Sequence, residues 1–318
     1  MTLLKDIHNR QFKKLRISLI NSCNLGCVYC TLGEEGQDNV QQPKSKYPIS
    51  QLLSKVSDLH AQLNLESVRL TGGEPLLHPS LFPIVKGISE IGIRDITLTT
   101  NGLLLARKAA GLKEAGLISA NISLDAMDED VFYSMSKRKG VHKVLEGIEA
   151  ALACGIKVKL NTVLMKGIND NQIFPLLEYA FERNITIRFL EVMAMGHLYK
   201  TAQQYLFLQE DLLELIASRY SISKLTRSQS STANYWETPS GNKFGIIANE
   251  SEPFCHDCNR LRLDSHGNIY GCLSNNNPIS IKKVTGGDEL ISRLQLAMNQ
   301  KQQMKFTGSK LSMLEIGG

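Results

Sequence analysis

Leu15-Arg16-Ile17-Ser18-Leu19 runs directly into Ile20-Asn21-Ser22-Cys23-Asn24-Leu25-Gly26-Cys27-Val28-Tyr29-Cys30. The first five residues read as a buried strand of the parallel kind. The remainder of the stretch reads as a loop with three cysteines at x3 and x2 spacing. A strand that ends in a reactive loop is the unit of a β/α barrel, where the chemistry gathers at the C-terminal strand ends.

The unit repeats outward. Val-, Ile- and Leu-rich runs at 67–70, 95–99, 120–124, 158–163 and 186–190 alternate with stretches of helical spacing, such as Leu52-Leu53-Val56-Leu59-Leu63 and Val141-Val144-Leu145-Ile148-Ala151-Leu152. Gly92, Gly116 and Gly155 fall just before strands, where a helix stop belongs. Six β/α units with right-handed crossovers predict an α/β fold, an open, partial TIM-like (β/α)6 barrel, since closure takes eight. Thr71-Gly72-Gly73-Glu74-Pro75, Thr99-Thr100-Asn101-Gly102, Ser123-Leu124-Asp125 and Glu191-Val192-Met193 all fall at strand C-terminal ends, together with the cysteine loop. That convergence predicts one active site.

Residues 197–243 are less regular, with a helix expected at about 208–219 and a polar loop at Ser228-Gln229-Ser230-Ser231-Thr232. From Lys243 to Gly271 the pattern turns β-like. The 318 residues are 42% hydrophobic and 21% charged, which excludes a disordered or collagen-like chain. A net charge of +5 suits a small anionic substrate and does not argue for nucleic acid. No apolar run approaches a membrane span, and Met1-Thr2-Leu3-Leu4-Lys5-Asp6 lacks the apolar region of a signal peptide. The expectation is a soluble, cytoplasmic protein. In that compartment seven cysteines, an odd number, argue for metal ligands rather than disulfides. Cys154, alone in a helical stretch, reads as a small buried hydrophobe.

Cys23, Cys27 and Cys30 can hold three irons of a cubane cluster and leave the fourth iron open to a ligand such as S-adenosylmethionine (SAM). Structural zinc sites close with four ligands, so zinc fits this loop poorly. Cys255, Cys258 and Cys272 form a second set. By spacing alone, zinc with His256 or His266 as fourth ligand is as open there as an iron–sulfur cluster. Arg260 and Arg262 alternate with Leu261 and Leu263, so both guanidiniums share one strand face and can clamp a phosphate chain. Arg16, Arg69, Lys159 and Arg188 also lie in expected strands. Unpaired charges are costly to bury, and an interior anionic ligand answers that cost better than pairing with Glu74 or Asp125.

The first cysteine loop together with Gly72-Gly73-Glu74-Pro75 resembles the radical SAM superfamily. The resemblance narrows to the GTP 3′,8-cyclase family, which opens molybdenum-cofactor biosynthesis. It runs from about Leu15 to the last residue and is most specific in Arg260, Arg262 and the terminal Gly317-Gly318. It implies a partial barrel core at 1–195 and a C-terminal region at 196–318. It implies two 4Fe–4S clusters, one on Cys23, Cys27 and Cys30 and one on Cys255, Cys258 and Cys272. Tyr29, Gly73, Ser123 and Met193 match positions that contact SAM. Arg16, Arg69, Thr99, Lys159, Arg260 and Arg262 match GTP-binding positions. Arg188, Gly317 and Gly318 match catalytic positions, the glycine tail reaching into the site.

The implied reaction takes the ribose 3′ hydrogen of GTP with a 5′-deoxyadenosyl radical and gives 3′,8-cyclo-7,8-dihydro-GTP. Cyclic pyranopterin monophosphate synthase would act next. An electron donor such as flavodoxin or ferredoxin and a homodimer are also implied. The chain departs from the family at Ser67, often basic there, at His78 and Ser119, usually arginine, at Ala120, often a larger hydrophobe, and at Thr31, usually methionine. A peptide- or protein-modifying radical SAM maturase with one auxiliary cluster is the alternative enzyme, and a zinc-ribbon interaction protein the alternative outside catalysis.

Overall fold

A computed structural model describes residues 4–31 and 48–316. Its strands are β1 (Lys14–Ser18), β2 (Ser67–Thr71), β3 (Asp95–Thr100), β4 (Ser119–Ser123), β5 (Lys157–Leu164), β6 (Thr186–Glu191), β7 (Ser223–Lys224), β8 (Asn234–Glu237), β9 (Lys243–Ile247), β10 (Arg260–Leu263), β11 (Asn268–Tyr270) and β12 (Ile279–Ser280). The helices are α1 (Ile49–Leu63), α2 (Leu81–Glu90), α3 (Ala109–Glu114), α4 (Glu129–Ser136), α5 (Val141–Ala153), α6 (Ile173–Glu182), α7 (Gln209–Ala217), α8 (Gly287–Asn299) and α9 (Met313–Ile316).

The six expected strands pair in sequence order, all parallel, from β1 to β6. Each alternates. Leu15 and Ile17 of β1, and Val68 and Leu70 of β2, are fully buried on the face that meets the helices. α1 brings Leu52, Val56, Leu59 and Leu63 to that layer at helical spacing. The opposite strand face carries Lys14, Arg16 and Arg69, and is left for the site. Gly116 stops α3 at φ +109°, and its N–H returns to the Lys113 carbonyl at 3.0 Å.

The sheet is wider than six strands. β10 adds to β1 in parallel, with Arg262 opposite Arg16, and β9 adds to β6 in parallel, with Gly245 opposite Arg188. Eight parallel strands, in the order β10-β1-β2-β3-β4-β5-β6-β9, therefore form the barrel wall. Antiparallel β11 and β12 extend one end and β8 and β7 the other, so the sheet remains open. The C-terminal strands enter through hairpins rather than helical crossovers, so the β/α rhythm of the sequence carries no sign of them. Among the described residues no helix is long and apolar enough to cross a membrane.

Candidate active site

One cavity of about 300 Å³ opens at the C-terminal strand ends, and all six clustered cysteines line it. Arg16, Arg69, Thr99, Ser123, Asn161, Arg188, Ile247 and Arg262 reach it from β1, β2, β3, β4, β5, β6, β9 and β10, so the sheet curls around it.

The first cysteine loop is fixed by its backbone. Gly26 and Val28 N–H groups donate to the carbonyls of Ser136 and Met135 at the end of α4, both at 2.9 Å. His197 Nε2 meets the Val28 carbonyl at 2.8 Å. Asn101 Nδ2 donates to Asn24 Oδ1 at 2.8 Å and approaches Cys23 Sγ at 3.8 Å. Gly73 packs directly on this loop, since a Cβ there would lie 2.3 Å from the Ser22 carbonyl oxygen. Its neighbour Glu74 is buried and accepts from Thr100 Oγ1 at 2.6 Å and from the N–H groups of Asn101 and Leu76 at 2.7 and 2.9 Å. Burial outweighs those donors and pushes its pKa up to about 7. Burial likewise pushes the Cys23 thiol up to about 11 and raises Cys27. Thiolates in this pocket need a compensating cation, which irons would supply.

The second set lines the same cavity. Cys255 and Cys258 flank the turn before β10, and Cys272 follows β11. Burial opposes ionisation of Cys258, but Lys301, with Nζ 3.1 Å from Sγ, and Arg260 outweigh it and hold the thiol at about 5. Cys255 is pushed by burial to about 11. Arg10 Nη1 donates to the Cys255 carbonyl at 2.9 Å, tying the N-terminal segment to this loop. Asp257 holds Arg227 by two bonds of 2.8 Å, which docks the polar 228–232 loop beside it. All six of these cysteines are free thiols in the structure. Among the described residues no three His, Cys, Asp or Glu side chains converge tightly enough to hold a single metal ion.

Arginines form the rest of the wall. Burial and mutual repulsion lower the pKa of Arg16 strongly, with Arg262, Arg69 and Arg260 as the repelling neighbours. The same forces bring Arg69 down to about 9 and Arg262 to about 10. Two described interior carboxylates are engaged elsewhere. Asp125 accepts from Tyr29 Oη at 2.8 Å and from the Val163 N–H at 2.9 Å, and Glu74 is held by Thr100 and backbone N–H groups. Arg188, only 5% exposed, donates through Nη2 to Asn121 Oδ1 at 2.6 Å and leaves its buried Nε without a partner.

Tyr29, Gly73, Ser123, Met193, Thr99, Arg260 and Arg262 all line the cavity. Lys159 does not. It shares the strand face of Asn161 but lies nearer the N-terminal end of β5, exposed, with Nζ 6.0 Å from the centre of the Tyr235 ring. The burial argument for an interior cation thus holds for Arg16, Arg69 and Arg188 and not for Lys159. Gly317 and Gly318 lie outside the described residues; Met313 and Leu314 of α9, just before them, line the cavity. Of the departures, Thr31 lines the cavity, Ala120 is core, Ser119 bonds Thr97 at 2.7 Å, and His78 Nδ1 accepts from the Ser80 N–H at 3.1 Å. Asn101 and Asp125, from the strand-end motifs, line the cavity too, and Lys301 joins the site beyond the residues that the sequence places there. Lys301 stands far from any motif, and only the packing of α8 brings it there.

Comparison with known proteins gives a consistent picture. Residues 17–180 match the Radical SAM superfamily and residues 185–307 match Molybdenum Cofactor Synthesis C. A GTP 3′,8-cyclase of Staphylococcus epidermidis is 38% identical over 276 residues, 85% of this chain and 81% of that protein. A GTP 3′,8-cyclase of Synechocystis sp. is 35% identical over 315 residues, 99% and 95%. Among solved structures, Streptococcus suis SuiB bound to S-adenosylmethionine aligns with a TM-score of 0.64 at 16% identity, over 91% of this chain and 69% of that one. Native anSMEcpe with bound AdoMet and Cp18Cys peptide aligns with a TM-score of 0.62 at 16% identity, over 90% and 80%. At such identity these structures report the fold.

Proposed function

The chain belongs to the radical SAM superfamily and within it to the GTP 3′,8-cyclase family, and from that premise we propose that it converts GTP to 3′,8-cyclo-7,8-dihydro-GTP, the opening step of molybdenum-cofactor biosynthesis. The observation that carries this reading is the cavity itself, which both cysteine triads and a crowded set of arginines line together. Polyanion binding relieves that crowding, and a nucleoside triphosphate is the polyanion of matching class. The likeness to the peptide-bound structure is one of fold, so it lends no weight to a peptide substrate.

When bound, a 4Fe–4S cluster on Cys23, Cys27 and Cys30 supplies the electron that cleaves SAM and yields the 5′-deoxyadenosyl radical. The chain's own residues do the rest. Tyr29, Gly73, Ser123 and Met193 line the same cavity, and we assign them to SAM. Arg16, Arg69, Arg260 and Arg262, with Thr99 and the outlying Lys159, hold the triphosphate. Arg188, with its partnerless Nε in the cavity wall, is placed to donate to substrate. The 5′-deoxyadenosyl radical would take the hydrogen of the ribose 3′ carbon and leave as 5′-deoxyadenosine, that carbon would bond to guanine C8, and one electron from the reductant with one proton at guanine N7 would complete the dihydro product.

In this reading residues 1–195 generate the radical and residues 196–318 hold the guanine. A second 4Fe–4S cluster on Cys255, Cys258 and Cys272 would take one iron per thiolate and leave its fourth iron open to the guanine. Gly317 and Gly318, following α9 at the cavity wall, are assigned to catalysis. The family reading extends to a homodimer, to reduction by flavodoxin or ferredoxin, and to hand-over of product to cyclic pyranopterin monophosphate synthase. The test is iron content after anaerobic purification. Replacing Cys255, Cys258 and Cys272 by Ala should halve the iron and leave some uncoupled SAM cleavage. Stoichiometric zinc in the unaltered protein would refute the second cluster.

A further inference from the structure

The cations of β10, β1 and β2 form a grid. One row is Arg262, Arg16 and Arg69, each the register partner of the next. The row one step nearer the N-terminal strand ends is Arg260, Lys14 and Ser67, partnered in the same way. Alternate residues of a strand share a face, so both rows face the barrel interior. Four of the six positions, Arg262, Arg16, Arg69 and Arg260, line the cavity, and Lys14 is not among them.

Its surroundings set it apart. Lys14 is half-buried, and its Nζ donates to Ser230 Oγ at 2.8 Å. The Ser230 carbonyl accepts from Arg260 Nη1 at 3.1 Å, so one residue holds two cations side by side. Ser230 is itself rigidly placed. It sits at φ +59°, and its N–H donates to Asp257 Oδ2 at 2.7 Å while Asp257 clamps Arg227. Nothing in this clamp brings a negative charge to Lys14. Glu66 is taken by Lys13 at 2.6 Å, and Asp95, opposite Ser67 on β3, is exposed and meets Thr97 Oγ1 at 3.5 Å. Burial and Arg260 lower the Lys14 pKa, with Glu66 and Asp95 opposing at longer range.

Two residues along a strand cover about 6.6 Å, comparable with the reach of a triphosphate. Resting on the reading of GTP as substrate, we propose that Lys14 binds the terminal phosphate, with the phosphate chain running from the Arg16–Arg262 row to the Lys14–Arg260 row, and that Lys14 makes the site select a triphosphate over a diphosphate. Ser67 offers only a hydroxyl at this level, so Lys14 and Arg260 supply its charge.

The test compares holoenzyme of the unaltered chain and of Lys14→Met with GTP and GDP, reading Kd by calorimetry and KM and kcat from 5′-deoxyadenosine release. Lys14→Met should weaken GTP binding by about tenfold, the usual share of one charge-assisted contact, and leave GDP binding and kcat within about threefold. Lys14→Arg should keep GTP affinity. The double variant Lys14→Met/Ser67→Lys, which moves the cation to the adjacent strand at the same level, should recover it. Unchanged GTP affinity in Lys14→Met would overturn the proposal and leave the substrate reading standing. Absence of GTP binding by the unaltered holoenzyme would bring down both. Should Lys14→Met fail to fold, Ser67→Lys alone decides: tighter GTP binding with GDP unchanged supports the proposal, and no gain refutes it.

Discussion

Lys301 Nζ stands 3.1 Å from Cys258 Sγ because α8 and the second cysteine loop are fitted to each other through their backbones. A Cβ on Gly271, the residue before Cys272, would lie 1.7 Å from the Ala297 carbonyl oxygen in the last turn of α8. The helix therefore ends against the loop, and Lys301 follows with its N–H on the Met298 carbonyl at 3.1 Å and its ammonium 5.7 Å from the centre of the Phe12 ring. A cation at a cluster thiolate favours the more negative, reduced state. On the proposal of a 4Fe–4S cluster at Cys255, Cys258 and Cys272, Lys301→Met should lower its midpoint potential by about 60 mV or more, one tenfold step for a single electron. Lys301→Arg should restore most of it. A redox titration followed by electron paramagnetic resonance reads the shift, and an unchanged potential would reduce Lys301 to a structural tether.

Gly73 gives a sharper steric expectation. Its Cβ would meet the Ser22 carbonyl oxygen at 2.3 Å and carbon at 2.5 Å, both backbone atoms that cannot rotate away. Gly73→Ala must push the Ser22–Cys23 segment aside, at a cost of about 1–3 kcal/mol. The first cluster should be lost and the second kept, so iron falls to about half of the holoenzyme value on the one-cluster-per-triad reading. Full iron with full SAM cleavage would show that the loop accommodates the methyl group.

Glu74 links folding to pH. Its pKa is pushed up to about 7, so between the ordinary carboxyl range and pH 7 the folded chain binds a proton that the unfolded chain has released. Stability then falls as pH rises through that window and levels off above it. Glu74→Gln should flatten this part of the profile. Urea unfolding of both proteins in the same metal state at pH 5 and pH 8 checks it. An equal drop in both would assign the pH dependence to other groups.

The six-strand order was legible because each strand is a short apolar run between helical stretches, and the reactive loops follow from the strand ends. Arg16, Arg69, Arg260 and Arg262 were legible by alternation. The placement of β9 and β10 was not, because strands that arrive by hairpins or loops carry no β/α period. Lys159 shows the limit of alternation: it identifies the face of β5 correctly but not the depth, and the residue lies at the exposed end. Lys14 shares the same strand-start level, and only the Ser230 clamp distinguishes it from a surface lysine. Pairing of the arginines with Glu74 or Asp125 is the weaker reading of the sequence, and in the fold backbone N–H groups, Thr100 and Tyr29 occupy both carboxylates. Such competition depends on turns whose geometry no spacing reveals.

The central claim is that this cavity turns GTP into a cyclised product by SAM-derived radical chemistry. The most direct measurement is anaerobic reconstitution followed by incubation with SAM, a reductant and each ribonucleoside triphosphate in turn, scoring 5′-deoxyadenosine and nucleotide product together. The expected result is 3′,8-cyclo-7,8-dihydro-GTP in step with 5′-deoxyadenosine when GTP is present, and only uncoupled SAM cleavage with the other nucleotides. Cleavage of SAM that GTP neither stimulates nor couples to any change in GTP would contradict it.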